Sequence, residues 1–217
     1  MSRINLIKLF LVFQCMFVTT ISAQKKCSPY DIGAKLVPYS QSDLFKNQTP
    51  LASIIEKNKI KTIIEIGSWY GESTIFMASV LPKGGKVFAV DSWIGYPRHT
   101  YKNTRNNYEK FLSNVVHVNL TNRIVPIRMT SLSASKIFQN YFNQQVDMVY
   151  IDGDHTYKAV YCDLLAWNPY VKPDGVICGN LFAKDAEDTK QIQKAIKDYC
   201  KKYSKVFVFE ENFWQIK

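Results

Sequence analysis

Two aspartates and a histidine, Asp152, Asp154 and His155, fall within four residues in the stretch IDGDHTY, directly after the apolar run VDMVY. Carboxylates beside an imidazole can hold a divalent cation, take a proton as a general base, or only serve a strand-to-helix turn. Asp152 ends its apolar run, at the carboxyl edge where open parallel sheets bind ligands. His155 is expected to open the helix TYKAVYCDLLAW, where the helix dipole disfavours imidazolium and keeps the ring neutral, as a base must be. A local structural role for His155 stays open beside that one, and Asp154 is as good an N-cap as it is a ligand.

A second constellation lies upstream, in EIGSWYGES, Glu65 to Ser73. Gly67 and Gly71 let a backbone turn tightly and approach a ligand, with Glu65 at the strand end, although a glycine pair often serves only close helix-to-strand packing. The next apolar run, KVFAVD, ends in Asp91, about twenty residues beyond the glycine turn, where an acid can take both hydroxyls of a ribose. The loop reads GSWYG, with no glycine where a pyrophosphate would press in, so a nucleoside without a phosphate bridge fits better.

These residues need a scaffold that sets them at one edge. After a preliminary helix, PLASIIEKNKI, the chain alternates strand and helix: KTIIEIG, SWYGESTIFMASVLP, KVFAVD, YEKFLSNVVHV, RIVPIRM, SASKIFQNYF, VDMVYID, TYKAVYCDLLAWNPYV and GVICGN. That order predicts an α/β fold, a Rossmann-like parallel sheet with helices on both faces. A basic helix, KQIQKAIKDYCKKYSK, follows, its apolar face made of Ile192, Ala195, Ile196 and Tyr199. The last strands, KVFVFE and NFWQIK, are close enough to pair only as an antiparallel hairpin.

With 217 residues, 47% of them hydrophobic, and no internal repeat or long linker, one folded domain is expected. Arg3 and Lys8, the apolar run Leu9 to Val18 and the small-residue segment TTISA have the order of a secretory signal, cleaved after Ala23; an uncleaved membrane anchor is the alternative. The organisation predicted is a leader over 1–23, an N-terminal extension over 24–49 and a domain over 50–217, exported to the periplasm or outside the cell. The net charge of +10 comes without an aromatic-interleaved basic stripe, so nucleic acid is not expected as a partner. Beyond Cys15 in the leader, Cys27, Cys162, Cys178 and Cys200 permit disulfides, with buried free thiols the preferred reading. Asn47 and Asn119 begin the sequons NQT and NLT.

From about Pro50 to the C-terminus the chain resembles the class I S-adenosylmethionine-dependent methyltransferases. The motif of an acid, glycine, three residues and a second glycine is followed by VDSWIG, YEKFLSNV, RIVPIRMTS, YIDGDHTYKAVYCDL and VKPDGVICGN. These look like successive motifs of the small O-methyltransferase-like branch that includes macrolide-sugar and catechol-type enzymes. The resemblance implies S-adenosyl-L-methionine as cofactor. It places Glu65, Gly67 and Gly71 at the methionine end and Asp91 on the ribose, with Trp93 stacked or packed beside it. Ser131 falls near the adenine or acts as a helix N-cap, and Ser68, Ser92 and Asp152 complete the cofactor set.

In metal-dependent members the aspartate matching Asp152 is a magnesium ligand, and a second carboxylate usually follows the next strand. Here that strand ends CGNLF, and Gly179, Asn180 or Leu181 holds the position. If Mg2+ is used, Asp152 and Asn180 are the ligands to expect; the missing acid shifts weight to His155 as general base, with Asp152 as its catalytic companion. The acceptor expected is a small hydroxylated molecule, a sugar or a phenol, met by the aromatic segment SWIGYPRHTYKNTRNN with Arg98 and His99. Two other readings stand beside methyl transfer: an exported, non-catalytic binding or effector protein keeping the fold, and an iron-dependent hydroxylase, for which no two-histidine, one-carboxylate set is evident. Oligomeric state is not legible.

Overall fold

Residues 28–41, 45–95, 106–141, 145–181 and 186–216 are described by the computed structural model. The leader, Cys15, Cys27 and the acceptor segment's Arg98 and His99 lie outside the described residues. A boundary between Asp31 and Ile32 divides the chain into two units. In the first, Ser28–Asp31 form a turn, with the Asp31 N–H donating to Ser28 O at 3.0 Å and the Ser28 N–H to the Asp31 carboxylate at 3.2 Å.

The second unit begins with a strap that ends in α1 (Gln48–Lys57). Strand β1 (Thr62–Ile66) leads through a five-residue loop to α2 (Glu72–Val80) and on to β2 (Lys86–Asp91). Then come α3 (Asn107–His117), β3 (Ile124–Arg128), α4 (Ser131–Tyr141) and β4 (Val146–Ile151). Helix α5 (Tyr157–Trp167), β5 (Val171–Asn180), α6 (Ala186–Tyr203), β6 (Phe207–Glu210) and β7 (Phe213–Ile216) close the chain. The sheet order is β3-β2-β1-β4-β5-β7-β6. The first five strands are parallel, and β7 runs antiparallel between β5 and β6. The expected fold class is the observed one. Strand order reverses between β1 and β4, so a crevice opens beyond their carboxyl ends.

Some boundaries move. Helix α2 starts at Glu72 rather than in SWYG, because residues 67–71 form the loop; Gly71 holds φ +89° and Trp69 φ +44°, neither compatible with a helix. Helix α5 stops at Trp167; Asn168 keeps helical backbone, but Pro169 has no N–H to continue the i→i−4 ladder. A short 3-10 turn, Asn168–Tyr170, then lets β5 begin at Val171, earlier than GVICGN predicts.

The central strands are covered on both faces. Ile64, Val149, Ile151, Leu164, Trp167, Ile196, Tyr199 and Trp214 form one continuous buried cluster. The apolar face predicted for α6 is buried as read, and its lysines at 190, 194, 197, 201 and 202 are exposed. Cys162, Cys178 and Cys200 are free thiols. Among the described residues no helix is long and apolar enough to cross a membrane.

The strap is tied to the site through α3. Val37 N–H donates to Ser113 Oγ at 3.0 Å and Ser40 N–H to Asn114 Oδ1 at 2.8 Å. The fully buried Asn114 amide donates in turn to Ser40 O at 2.7 Å and Tyr70 O at 2.8 Å, fixing the loop after β1.

Candidate active site

The site begins with a contact between two backbones. Gly67 N–H donates to Val90 O at 2.9 Å and Asp152 N–H to Ile66 O at 2.8 Å, drawing the ends of β2, β1 and β4 together. Gly67 has φ +89°, and a Cβ there would lie 2.3 Å from Asp152 O. Only glycine fits. Beyond this junction lies a cleft of about 710 Å³, within the size range of small-molecule sites.

Asp91 forms the second anchor. Its Oδ2 accepts from Trp69 N–H at 2.9 Å and its Oδ1 from Trp93 N–H at 2.7 Å. Both tryptophans have left-handed backbones, φ +44° and +52°, and the indole N–H of Trp93 donates to Trp69 O at 2.7 Å. One carboxylate thus holds two strained residues in place. Burial raises the Asp91 pKa, and the N–H bonds oppose it without cancelling it. The backbone of Ser68 and Ser92 also acts on this carboxylate, which nevertheless lines the cleft, where it can accept from a ligand hydroxyl.

Gly67, Ser68, Asp91, Ser92, Ser131, Asp152, His155 and Asn180 all line this one cleft. Three residues expected in the cofactor set stand behind the wall instead. Gly71 faces α3, where an added Cβ would touch the Phe111 ring at 3.0 Å. Trp93 is 2% exposed and packs on Tyr108 and Phe111, the packing alternative rather than stacking. Glu65 is fully buried, its carboxylate accepting from Ser68 Oγ at 2.8 Å and from the hydroxyls of Ser73 and Thr74. The acid of the motif therefore organises the loop and the first turn of α2.

Burial raises the Glu65 pKa from an ordinary 4.5 to about 7, against the three hydroxyls that lower it. Between those values the folded carboxyl keeps a proton that the unfolded one has lost, so stability falls as pH rises through the window, by about 3 kcal/mol. We expect Glu65→Gln to flatten that slope. Urea unfolding of both proteins at about pH 4.5 and about pH 7.5 measures the difference; parallel losses would contradict it.

Toward β3 the cleft is floored by a group that sequence reading missed. Asp163, 5% exposed, accepts from Ser131 Oγ at 2.5 Å, and Trp167 Nε1–H donates to that same oxygen at 2.8 Å. Burial lifts the Asp163 pKa to about 6 despite the serine. Ser131 is not the N-cap of α4: Thr130 Oγ1 accepts from Ser133 N–H at 3.3 Å. The available signal for Asp163 was an acid inside the apolar run YCDLLAW.

At the opposite wall, Asp152 Oδ1 lies 2.9 Å from Asn180 Nδ2, which donates to it, and 3.5 Å from His155 Nε2. Nε2 is buried and makes no hydrogen bond within the described residues, so the histidine contact is electrostatic. Asn180 Oδ1 accepts from Asn47 Nδ2 at 3.0 Å, and the same nitrogen reaches Tyr150 OH at 3.1 Å. Asn47 is 2% exposed, so the asparagine of that sequon is buried although Gln48 and Thr49 are exposed, whereas Asn119 is exposed.

Two expectations about this wall are corrected. The N-cap of α5 is Thr156, whose Oγ1 accepts from Ala159 N–H at 3.3 Å, while Asp154 Oδ1 accepts from Thr156 N–H at 2.8 Å one step earlier. His155 therefore precedes the helix, and carboxylates rather than the dipole set its charge. Burial lowers its pKa, but Asp152, Asp188 and Asp154 outweigh that and raise it above 6.5. The pair expected to bind Mg2+ does not fit the ion either: Asn180 shows Asp152 an N–H, not an oxygen. Among the described residues no cluster of three His, Cys, Asp or Glu side chains is placed to hold a metal.

A parallel sheet with a cleft at its switch point and an acid after the second strand defines a Rossmann-like protein with its ligand site at the carboxyl edge. Residues 64–180 match the methyltransferase domain family, and the chain belongs to it. No curated protein matches by sequence. Among solved structures, the chain is similar to the O-methyltransferase of Bacillus cereus in complex with SAH. The two share 17% identity and a TM-score of 0.62 over 95% of this chain and 96% of that one. It is also similar to the O-methyltransferase TomG of Streptomyces achromogenes, involved in tomaymycin synthesis and solved with SAM, at 13% identity and a TM-score of 0.60 over 96% and 94%. At such identities the likeness is one of fold.

Proposed function

We propose that the protein transfers a methyl group from S-adenosylmethionine to a hydroxyl oxygen of a small acceptor. The observation that carries this is a single cleft lined both by Gly67 and Asp91 and by the Asp152–His155 pair. Bound S-adenosylmethionine supplies a methyl on a sulfonium, and transfer breaks the S–CH3 bond, forms O–CH3 and leaves S-adenosylhomocysteine. The His155 imidazole takes the proton released from the hydroxyl, and Asp152, 3.5 Å from its Nε2, steadies the imidazolium. This pair accepts a proton without the second acid whose loss motivated the non-catalytic reading, so the enzyme reading is favoured.

The wall chemistry narrows the acceptor. Among the described residues, the charged groups lining the cleft are Glu72, Asp91, Asp152, Asp154, Asp163, Asp188 and His155, with no lysine or arginine. Carboxylates repel anionic ligands and accept from hydroxyls and amines, which supports a neutral or cationic hydroxylated acceptor such as a sugar or a phenol.

Isothermal titration of the full chain with S-adenosylmethionine and S-adenosylhomocysteine tests the reading, and absence of saturable binding to either overturns it. His155→Ala is expected to lower kcat by about 10²–10⁴-fold while leaving S-adenosylhomocysteine affinity within about twofold. Because the base must be neutral and its pKa is raised, wild-type kcat rises with pH along a limb above 6.5. A flat profile there, or a variant with wild-type turnover, removes His155 from the proton transfer.

A further inference from the structure

We propose that Asn47 and Asn180 form an amide relay that holds the Asp152 carboxylate with a hydrogen-bond donor where a divalent cation would otherwise bind, so that the site works without a metal. The proposal deepens the methyl-transfer reading and rests on it for what the site does; whether the relay excludes a cation is a separate, directly measurable matter.

Asp152 follows β4 and Asn180 ends β5, and the two strands pair in parallel with Ile151 opposite Gly179. Register alone therefore brings side chains 152 and 180 to the same edge of the cleft. The Asn180 backbone is fixed there by β7, through its pairing with Phe213 and the indole N–H of Trp214 on its carbonyl at 3.1 Å. Its side chain then spans 2.9 Å to Asp152 Oδ1 on one side and 3.0 Å to Asn47 Nδ2 on the other.

Chemistry determines which way that amide faces. Turned over, Asn180 would set its carbonyl oxygen against a carboxylate and its NH2 against the NH2 of the buried Asn47. The contact with the carboxylate would become repulsive, so Asp152, an acceptor, selects the orientation observed, and the Asn47 amide, held between Asn180 and the Tyr150 hydroxyl, is set in register with it. A magnesium ion requires the reverse, several oxygens at about 2.0–2.1 Å in octahedral array. Here Oδ1 of Asp152 is flanked by two nitrogens, the Asn180 amide and the His155 imidazole 3.5 Å away. The oxygen of Asn180 is spent on Asn47, whose own position is set by Tyr150 OH at 3.1 Å. Asn180 and Asn47 are accordingly positioning residues: they fix the carboxylate, and the carboxylate faces the base.

The test is a calorimetric titration of Mg2+ and Mn2+ into the full chain, with and without S-adenosylhomocysteine. Wild type is expected to show no saturable binding at millimolar concentrations, and its turnover to be unchanged by EDTA. Asn180→Asp puts a second carboxylate beside Asp152 and is expected to gain saturable Mn2+ binding, at least about tenfold tighter than any wild-type uptake. Asn180→Ala, which removes the donor but adds no charge, is expected to lower kcat about tenfold, with KM for S-adenosylmethionine within about twofold. Saturable wild-type binding with turnover lost to EDTA overturns the proposal. So does an Asn180→Asp protein that folds, by its circular dichroism melt, yet takes up no Mn2+. Should that variant not fold, the wild-type titration decides alone. Loss of S-adenosylhomocysteine binding in wild type would instead overturn the methyl-transfer reading, and the metal titration reads out independently of it.

Discussion

Replacing Asp91 by alanine is expected to weaken S-adenosylhomocysteine binding about 100-fold, the largest loss of affinity from any single side chain in the cleft. Two contributions combine. A ribose bound at the end of β2 would donate hydroxyls to the carboxylate, and hydrogen bonds to a charged group contribute about 1.5–3 kcal/mol each; about 2.7 kcal/mol already corresponds to 100-fold. The same carboxylate also holds the N–H groups of Trp69 and Trp93 at 2.9 and 2.7 Å. Without it, two left-handed residues lose the contacts that stabilise them, and the loop beside Gly67 is free to relax out of the binding geometry. Asp91→Asn separates the contributions. It preserves the shape but can present only one carbonyl oxygen where two acceptors are needed, so its NH2 opposes either a backbone N–H or a ligand hydroxyl donor. It should also bind at least tenfold more weakly than wild type, with less loss of thermal stability than alanine. Calorimetry on the three proteins, paired with thermal melts, measures both effects. An alanine variant within threefold of wild-type affinity would show that the nucleoside is held elsewhere.

Asp91 was legible because its signal is local: an acid closing an apolar run at a fixed distance from a glycine turn. The same holds for Gly67 and Asp152, each at the end of a run of β-branched residues. Glu65 misled because the central strands are buried on both faces, with Ile63, Ile64, Glu65 and Ile66 all inaccessible. When both sides of a strand are apolar, alternation cannot say which way one acid points. The partners that settle it, Ser73 and Thr74, sit in the first turn of a helix whose start was placed too early. Thr156 rather than Asp154 caps α5 because the chain needs an Asx turn to leave the junction at Gly153 before the helix can begin, and one residue of register is below what composition resolves. Asn47, visible only as the start of a sequon, and Tyr150, visible only as part of a strand, carried no signal for the site. They enter the site by a hydrogen bond between residues 103 positions apart, a relation set by where the residue before α1 meets β4 and β5 and not by any motif.

The largest effect on stability is expected at Gly67, where alanine should cost about 4 kcal/mol. The strain of placing a side chain at φ +89° accounts for about 1–2 kcal/mol of it. The rest is steric. The new Cβ would lie 2.3 Å from Asp152 O, 2.6 Å from Asp152 C and 2.6 Å from Gly153 Cα, and backbone atoms cannot rotate away as a side chain can, so the strand ends must separate. An internal control exists in the turn between α2 and β2. Gly84 has nearly the same φ, +84°, but a Cβ there meets nothing within 4 Å, so Gly84→Ala should lose only the conformational part, about 1 kcal/mol. Urea unfolding of both variants isolates the difference of about 3 kcal/mol as the cost of the backbone contact. Equal losses would mean that β1 and β4 do not approach as closely as the fold requires. Because the displaced atoms belong to Asp152 and Gly153, the residual folded Gly67→Ala protein should also lose turnover by at least an order of magnitude, as small misplacement of a reacting group is enough for that. Retained turnover in a destabilised Gly67→Ala protein would therefore place the proton-accepting pair outside the reaction, even with the steric account intact.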